Sequence, residues 1–182
     1  MTGGDRAGSV ERFPPGKSAP APLPGDFVLV RGRTWTSRVV YLGQATRLWR
    51  RADRPYRYWS HAALVIWSDG RIAEASARGV ICSRLEKYRD ADYHYVHVAQ
   101  TGRARREAVT FACSCVGMPY APLGYFRPAA ATLTLGWLQP SPHRHACASL
   151  VAEAMSRAGV VFDRPPAEVL PADLAKHYRV RP

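Results

Sequence analysis

Hydrophobic and polar positions fall into blocks with different periods. Residues 1–24 mix glycine, proline, alanine and charge with no hydrophobic period, which predicts a flexible tail ahead of a domain spanning 25–182. Order is expected from Gly25-Asp26, followed by the apolar run Phe27-Val28-Leu29-Val30, the pattern of a buried strand. Trp35, Val39, Leu42 and Trp49 follow a looser helical spacing with arginines on the other face. Ala62–Trp67 reads as a strand, Ser68-Asp69-Gly70 as a turn, Ile72–Ala75 as the returning strand, and Gly79–Cys82 as a further extended run. Tyr93–Val98 alternates aromatic or β-branched residues with histidines, again a strand pattern. Arg103–Val116 places Ala108, Phe111, Ala112 and Cys115 on one helical face, and Gly117-Met118-Pro119 ends it.

Residues 118–146 are irregular and proline-rich, with an apolar middle at Leu133, Leu135, Trp137 and Leu138. A loop of that length in a compact domain is usually functional. Cys147–Ala158 is strongly amphipathic, with Leu150, Val151, Ala154 and Met155 inward and Gly159 as its stop. A short Val160–Phe162 strand and a helical turn near Asp173 complete the pattern. The order β α β β β α, loop, α, β predicts an α+β domain with a small antiparallel sheet packed against helices.

The 182 residues are 47% hydrophobic, enough for a core, which excludes disorder throughout. The net charge is +12, and all but Lys17, Lys87 and Lys176 of the 26 basic residues are arginine. Attraction to an anionic polymer or a membrane surface is one reading of that charge, and genomic base composition is another. The aromatics Trp49, Tyr56, Tyr58 and Trp59 interleave with Arg47, Arg50, Arg51, Arg54 and Arg57, a pattern that could stack bases. Core packing of the rings is the favoured alternative, so nucleic acid is not the expected partner. No apolar run of 18 residues and no secretory h-region occur, so a cytoplasmic location is expected unless the chain is released without a signal.

Four cysteines, Cys82, Cys113, Cys115 and Cys147, are too few for a disulfide scaffold and form no CxxC pair. Cys113 and Cys115 read as small buried residues. Cys147 stands where a proline-rich loop enters a helix. Unpaired N–H groups and the helix dipole favour a thiolate there, and can hold the oxyanion of an acyl-transfer intermediate. A thiolate needs a base or ion-pair partner. His61 opens an apolar strand, on the face shared by Ala63 and Val65. A four-residue hairpin loop from Trp67 to Gly70 sets Glu74 opposite Ala63, diagonal to His61. A two-residue loop moves it one step along the same face, and an odd loop turns it away. A carboxylate beside the imidazole would orient it and stabilise its charge.

Ser60-His61-Ala62-Ala63-Leu64-Val65-Ile66, then Ile72-Ala73-Glu74-Ala75, is similar to the histidine strand and third-residue strand of NlpC-type peptidases. Gly117-Met118-Pro119-Tyr120 resembles the tyrosine segment of that family, and Cys147-Ala148-Ser149-Leu150-Val151 its cysteine helix start. Histidine before cysteine marks the permuted branch of these papain-like amidases, related to lecithin retinol acyltransferase-like proteins. Gly25-Asp26 and Pro171-Ala172-Asp173-Leu174 also fit it. The resemblance implies a circularly permuted papain-like fold, Cys147 as nucleophile, His61 as base and Glu74 as third residue. It also implies Tyr120, with Ser60 beside the histidine, on the substrate and oxyanion side. Ala148 departs from the usual serine and removes no catalytic atom. The implied activity is hydrolysis or transfer of an acyl group from a peptide, another amide or a lipid-like substrate, without a cofactor.

Two other readings stand beside it. His143 and His145 with Cys147 offer zinc-type donors, but near neighbours on one loop rarely complete a site, and no metal is assigned; His145 could instead tune the thiolate. The stretch Leu133–Leu138 could cover an acyl chain or pack on the sheet.

Overall fold

The computed structural model describes residues 7–17, 19, 21–32, 35–48, 50–76, 78–119 and 147–182. Six strands form one antiparallel sheet: β1 (Ala7–Phe13), β2 (Phe27–Val30), β3 (His61–Val65), β4 (Arg71–Ser76), β5 (Gly79–Arg84) and β6 (Tyr93–Val98), in the order β1-β6-β2-β3-β4-β5. Among the described residues, four α-helices accompany it: α1 (Trp35–Arg47), α2 (Gly102–Ser114), α3 (Cys147–Arg157) and α4 (Pro171–His177). The architecture is α+β, as the pattern predicted. None of the described helices is long and apolar enough to cross a membrane.

Strand alternation divides the core between the two sheet faces. Phe27, Leu29, Ala62, Leu64, Ala73 and Val96 face the helices, where Ala108, Ala112, Leu150, Met155 and Leu174 seal the larger core. Val28, Val30, Ala63, Val65, Ile72, Tyr93 and Tyr95 line the opposite face with Phe13 and Leu85.

That second face corrects the reading of residues 1–24 as a flexible tail. Ala7–Phe13 is a strand paired with β6, and Phe13 stacks on Tyr93 at 5.2 Å between ring centroids. Beyond it, the Ala19 N–H donates to the Tyr93 hydroxyl at 3.0 Å, and the Leu23 N–H donates to the Tyr95 hydroxyl at 2.6 Å. The sequence Ala-Gly-Ser-Val-Glu-Arg-Phe has little period of its own. Its strand conformation comes from backbone pairing with β6, which is remote in sequence.

Asp26 locks this frame. It is fully buried and accepts from the Val98 N–H at 2.9 Å and from Arg105 Nη1 at 2.7 Å, and it lies 2.8 Å from His97 Nδ1. β2, β6 and α2 are thereby joined at one carboxylate. Gly25 turns the chain into it at φ +90°, and a Cβ there would stand 2.9 Å from Arg105 Cγ. Gln44 of α1 makes a second lock. Its Oε1 accepts the Ala172 N–H at 2.8 Å and its Nε2 donates to the Trp59 carbonyl at 2.9 Å.

The last segments correct two further expectations. Val160–Phe162 is not a strand, because Val160 N–H closes back on Met155 O at 2.9 Å, Gly159 takes φ +87° and Val161 is exposed. The turn near Asp173 is a full helix, with Pro171 in its first turn and Asp173 Oδ2 accepting the Leu170 N–H at 2.9 Å. Cys113 is exposed rather than buried, whereas Cys115 is buried.

Candidate active site

The hairpin register comes first. Leu64 pairs with Ala73 and Val65 with Ile72, so continuing the ladder brings Glu74 opposite Ala63 and diagonal to His61. This is the arrangement a four-residue loop from Trp67 to Gly70 requires. His61 Nε2 lies 2.8 Å from Glu74 Oε2.

Cys147 is the first residue of α3, which packs across β3 and β4. Its sulfur hydrogen-bonds to the His61 ring. With Nε2 committed to Glu74, the nitrogen left for the sulfur is Nδ1. Burial on its own would lower the His61 pKa; the Cys147 thiolate and the Glu74 carboxylate override it and raise the pKa to about 9. The imidazole is therefore a stable cation at neutral pH whenever the thiol is ionised, and it can hand its proton to a departing group.

Glu74 is held more tightly than the hairpin alone would hold it. It is almost fully buried. Its Oε1 accepts from the Ser83 hydroxyl and the Lys87 ammonium, and its Oε2 accepts from the Tyr88 hydroxyl as well as facing His61. Desolvation pushes this carboxyl upward, but the hydrogen bonds from His61, Lys87 and Ser83 outweigh it and hold the pKa well below the usual carboxylate range. Tyr88 is shifted the other way, first by burial and then by the negative charge of Glu74, so its phenol stays protonated and can only donate to that carboxylate.

Ser83, Lys87 and Tyr88 were not among the residues read from the sequence. Ser83 could have been found, since the β4–β5 ladder pairs Glu74 with Ile81 and Ile72 with Ser83, placing Ser83 on the Glu74 face. Lys87 and Tyr88 come from a short 3₁₀ turn, Leu85–Tyr88, whose direction no local pattern signals.

Ser60 is buried beside His61, and its Oγ accepts the Gly32 N–H at 2.9 Å, so the hydroxyl fastens the exit of β2 to the entry of β3. Tyr120, His143, His145 and the Leu133–Leu138 stretch lie outside the described residues, as does Trp49. The segment leading to Tyr120 is fastened to β5 at Val80. The Val80 N–H donates to Met118 O and the Gly117 N–H donates to Val80 O, both at 2.8 Å. Gly79 makes room for this clamp, since a Cβ there would stand 2.5 Å from Met118 O. Among the described residues no group of three or more histidine, cysteine or acidic side chains could hold a metal ion. Tyr56 and Trp59 belong to the core, which removes them as surfaces for stacked bases.

The chain matches no protein-family model and no curated protein.

Proposed function

We propose that the chain is a cysteine-dependent amidase or peptidase of the papain-like, circularly permuted NlpC type, acting through a thioester on a cell-wall peptide or another amide. The observation that carries this reading is the His61 imidazole held between the Cys147 sulfur and the Glu74 carboxylate. A cysteine at the first residue of a helix, laid across an antiparallel sheet whose third strand opens with histidine, supports the papain-like assignment.

In this mechanism the Cys147 thiolate adds to the substrate carbonyl and forms a C–S bond, with the negative charge passing to the carbonyl oxygen. N–H groups at the start of α3 suit that oxyanion. Collapse of the tetrahedral intermediate breaks the C–N bond, and the His61 imidazolium protonates the departing amine. The neutral imidazole then removes a proton from water, hydroxide attacks the thioester, and the C–S bond breaks to return the thiolate–imidazolium pair and a carboxylic acid. Glu74 keeps the ring oriented throughout and offsets its positive charge.

Alkylation with iodoacetamide at neutral pH, followed by peptide mapping, tests the nucleophile. Cys147 is expected to label well before Cys82, Cys113 and Cys115, and equal slow labelling of all four would sink the proposal. Cys147→Ala is expected to lower turnover of peptide, amide and ester substrates by at least about a thousand-fold. Undiminished turnover in that variant would also count against it.

A further inference from the structure

Where the chain leaves β2 and approaches β3 lies an open concavity of about 400 Å³, walled by Arg31, Arg54, Arg57, Tyr41, Tyr58 and Pro55. It is strongly cationic. The arginine ion pairs among the described residues belong to Arg12, Arg71, Arg103, Arg105 and Arg157, so none of the three arginines in the pocket is neutralised by a carboxylate there. Pro182 borders the same space, and no described ion pair joins it to the arginines.

The walls are fixed by the backbone that carries His61. Val30 pairs with His61 across the β2–β3 ladder, and Arg31 is the next residue along. Gly32 N–H donates to Ser60 Oγ at 2.9 Å, and Ser60 N–H donates to Val30 O at 3.1 Å. Tyr41 donates to the Gly32 carbonyl at 3.2 Å. Tyr58, three residues before His61, donates to Asp92 Oδ2 at 2.5 Å, and the Arg31 guanidinium lies 4.3 Å from its ring centroid. Gln44 Nε2 reaches the Arg57 carbonyl at 3.4 Å. A stacked arginine and two further arginines in a concavity lined by tyrosine and proline suit a planar or aromatic fragment ending in an oxyanion. Guanidinium forks match phosphate and carboxylate oxygens in pairs.

We infer that this pocket is a substrate-binding subsite for an oxyanion, a phosphate or a carboxylate, carried by the molecule whose acyl group Cys147 attacks. The inference rests on the thiol-hydrolase reading and narrows its substrate to acyl compounds with an anionic end close to the reacting carbonyl. It also gives part of the +12 charge a local purpose.

The test uses phenyl phosphate, benzoate and inorganic phosphate as probes, titrated by calorimetry into the full chain and its variants. Saturable binding of phenyl phosphate or benzoate is expected, weakened by salt and unaffected by Cys147→Ala. The comparison of those two probes identifies which oxyanion the arginines prefer. The paired change Arg54→Gln and Arg57→Gln is expected to weaken binding about ten-fold or more, the loss that goes with removing charge-assisted hydrogen bonds. Arg54→Gln alone, at an exposed side chain, is expected to give part of that loss with an unchanged melting temperature. Saturating phenyl phosphate is further expected to slow iodoacetamide alkylation of Cys147. Equal affinities in wild type and the paired variant overturn the inference, as does binding that leaves Cys147 alkylation untouched. Tighter capture of a single-stranded oligonucleotide than of phenyl phosphate by the same arginines also overturns it. Binding is read in the Cys147→Ala protein, and thiol activation without any anion, so failure of the subsite and failure of the catalytic reading give different results.

Discussion

Asp26 and Glu74 are both sealed from solvent, and each is shared between a histidine and a long cation: His97 and Arg105 for Asp26, His61 and Lys87 for Glu74. The carboxylate–histidine distance is 2.8 Å in both. What separates them is the second nitrogen of each ring. His97 Nε2 faces Glu11 at 3.2 Å, whereas the other face of His61 meets the Cys147 sulfur. One arrangement ends in a second carboxylate and holds strands together; the other ends in a thiol, the nucleophile of the proposed reaction. A buried carboxylate–histidine pair is therefore no evidence of catalysis until the third group is known.

The cations differ too. Arg105 is largely buried and also donates to the carbonyls of Pro24 and Val98, so it is held in place on three sides. Lys87 is 41% exposed and can turn outward. Asp26→Asn should thus strand a buried guanidinium and cost about 3–5 kcal/mol of stability, measured by urea unfolding. The rate of Cys147 alkylation in the folded protein should not change. Glu74→Gln should do the reverse. Turnover should fall about a hundred-fold because the ring loses its charged orienter, with a smaller loss of stability than at Asp26. A Glu74→Gln protein that unfolds as readily as Asp26→Asn while keeping its turnover would erase the distinction.

Acidity sharpens it further. The folded-state pKa of His61 is raised above its ordinary value, to about 9. The ion pair's contribution to stability is therefore full below about pH 6.5 and is lost as pH rises through about 9. Turnover should follow, with an alkaline limb near pH 9 that drops about ten-fold per unit beyond it, read from kcat/KM against pH. Glu74 is shifted downward, so its own contribution survives mild acid and is lost only as pH falls through that depressed value. The smallest effect belongs to Lys87→Met. It leaves more of the Glu74 charge to His61, moving the alkaline limb upward by a fraction of a unit at a stability cost below about 1 kcal/mol, measured by the same profile and by thermal melting.

The His61–Glu74 diagonal was legible before any coordinates because a tight hairpin obeys simple arithmetic: once Ser68-Asp69-Gly70 is a turn, the facing residues can be counted outward. Cys147 was legible because a helix start after a proline-rich loop has its own chemistry. Ser83, Lys87 and Tyr88 depend on a second hairpin and a 3₁₀ turn, where a shift of one residue would swing each side chain elsewhere. The arginine-lined concavity was harder still, because Arg31 is brought to Arg54 and Arg57 by pairing between β2 and β3. In the sequence Arg54 and Arg57 belong to a run interleaved with aromatics, from which Arg31 is remote, and two of the interleaved rings, Tyr56 and Trp59, proved to be core.

The strand Ala7–Phe13 and the residues tied down by Tyr93 and Tyr95 carry a practical consequence. A chain shortened to begin at Gly25, the obvious cut from composition, would leave β6 as a bare edge with an open row of N–H and C=O groups. It would also uncover the apolar face that holds Val28, Tyr93 and Tyr95. Such a molecule offers neighbours both a template for strand addition and a greasy surface to bury. Its poor behaviour in solution would then be a fault of self-association, not of a weakened helix-side core.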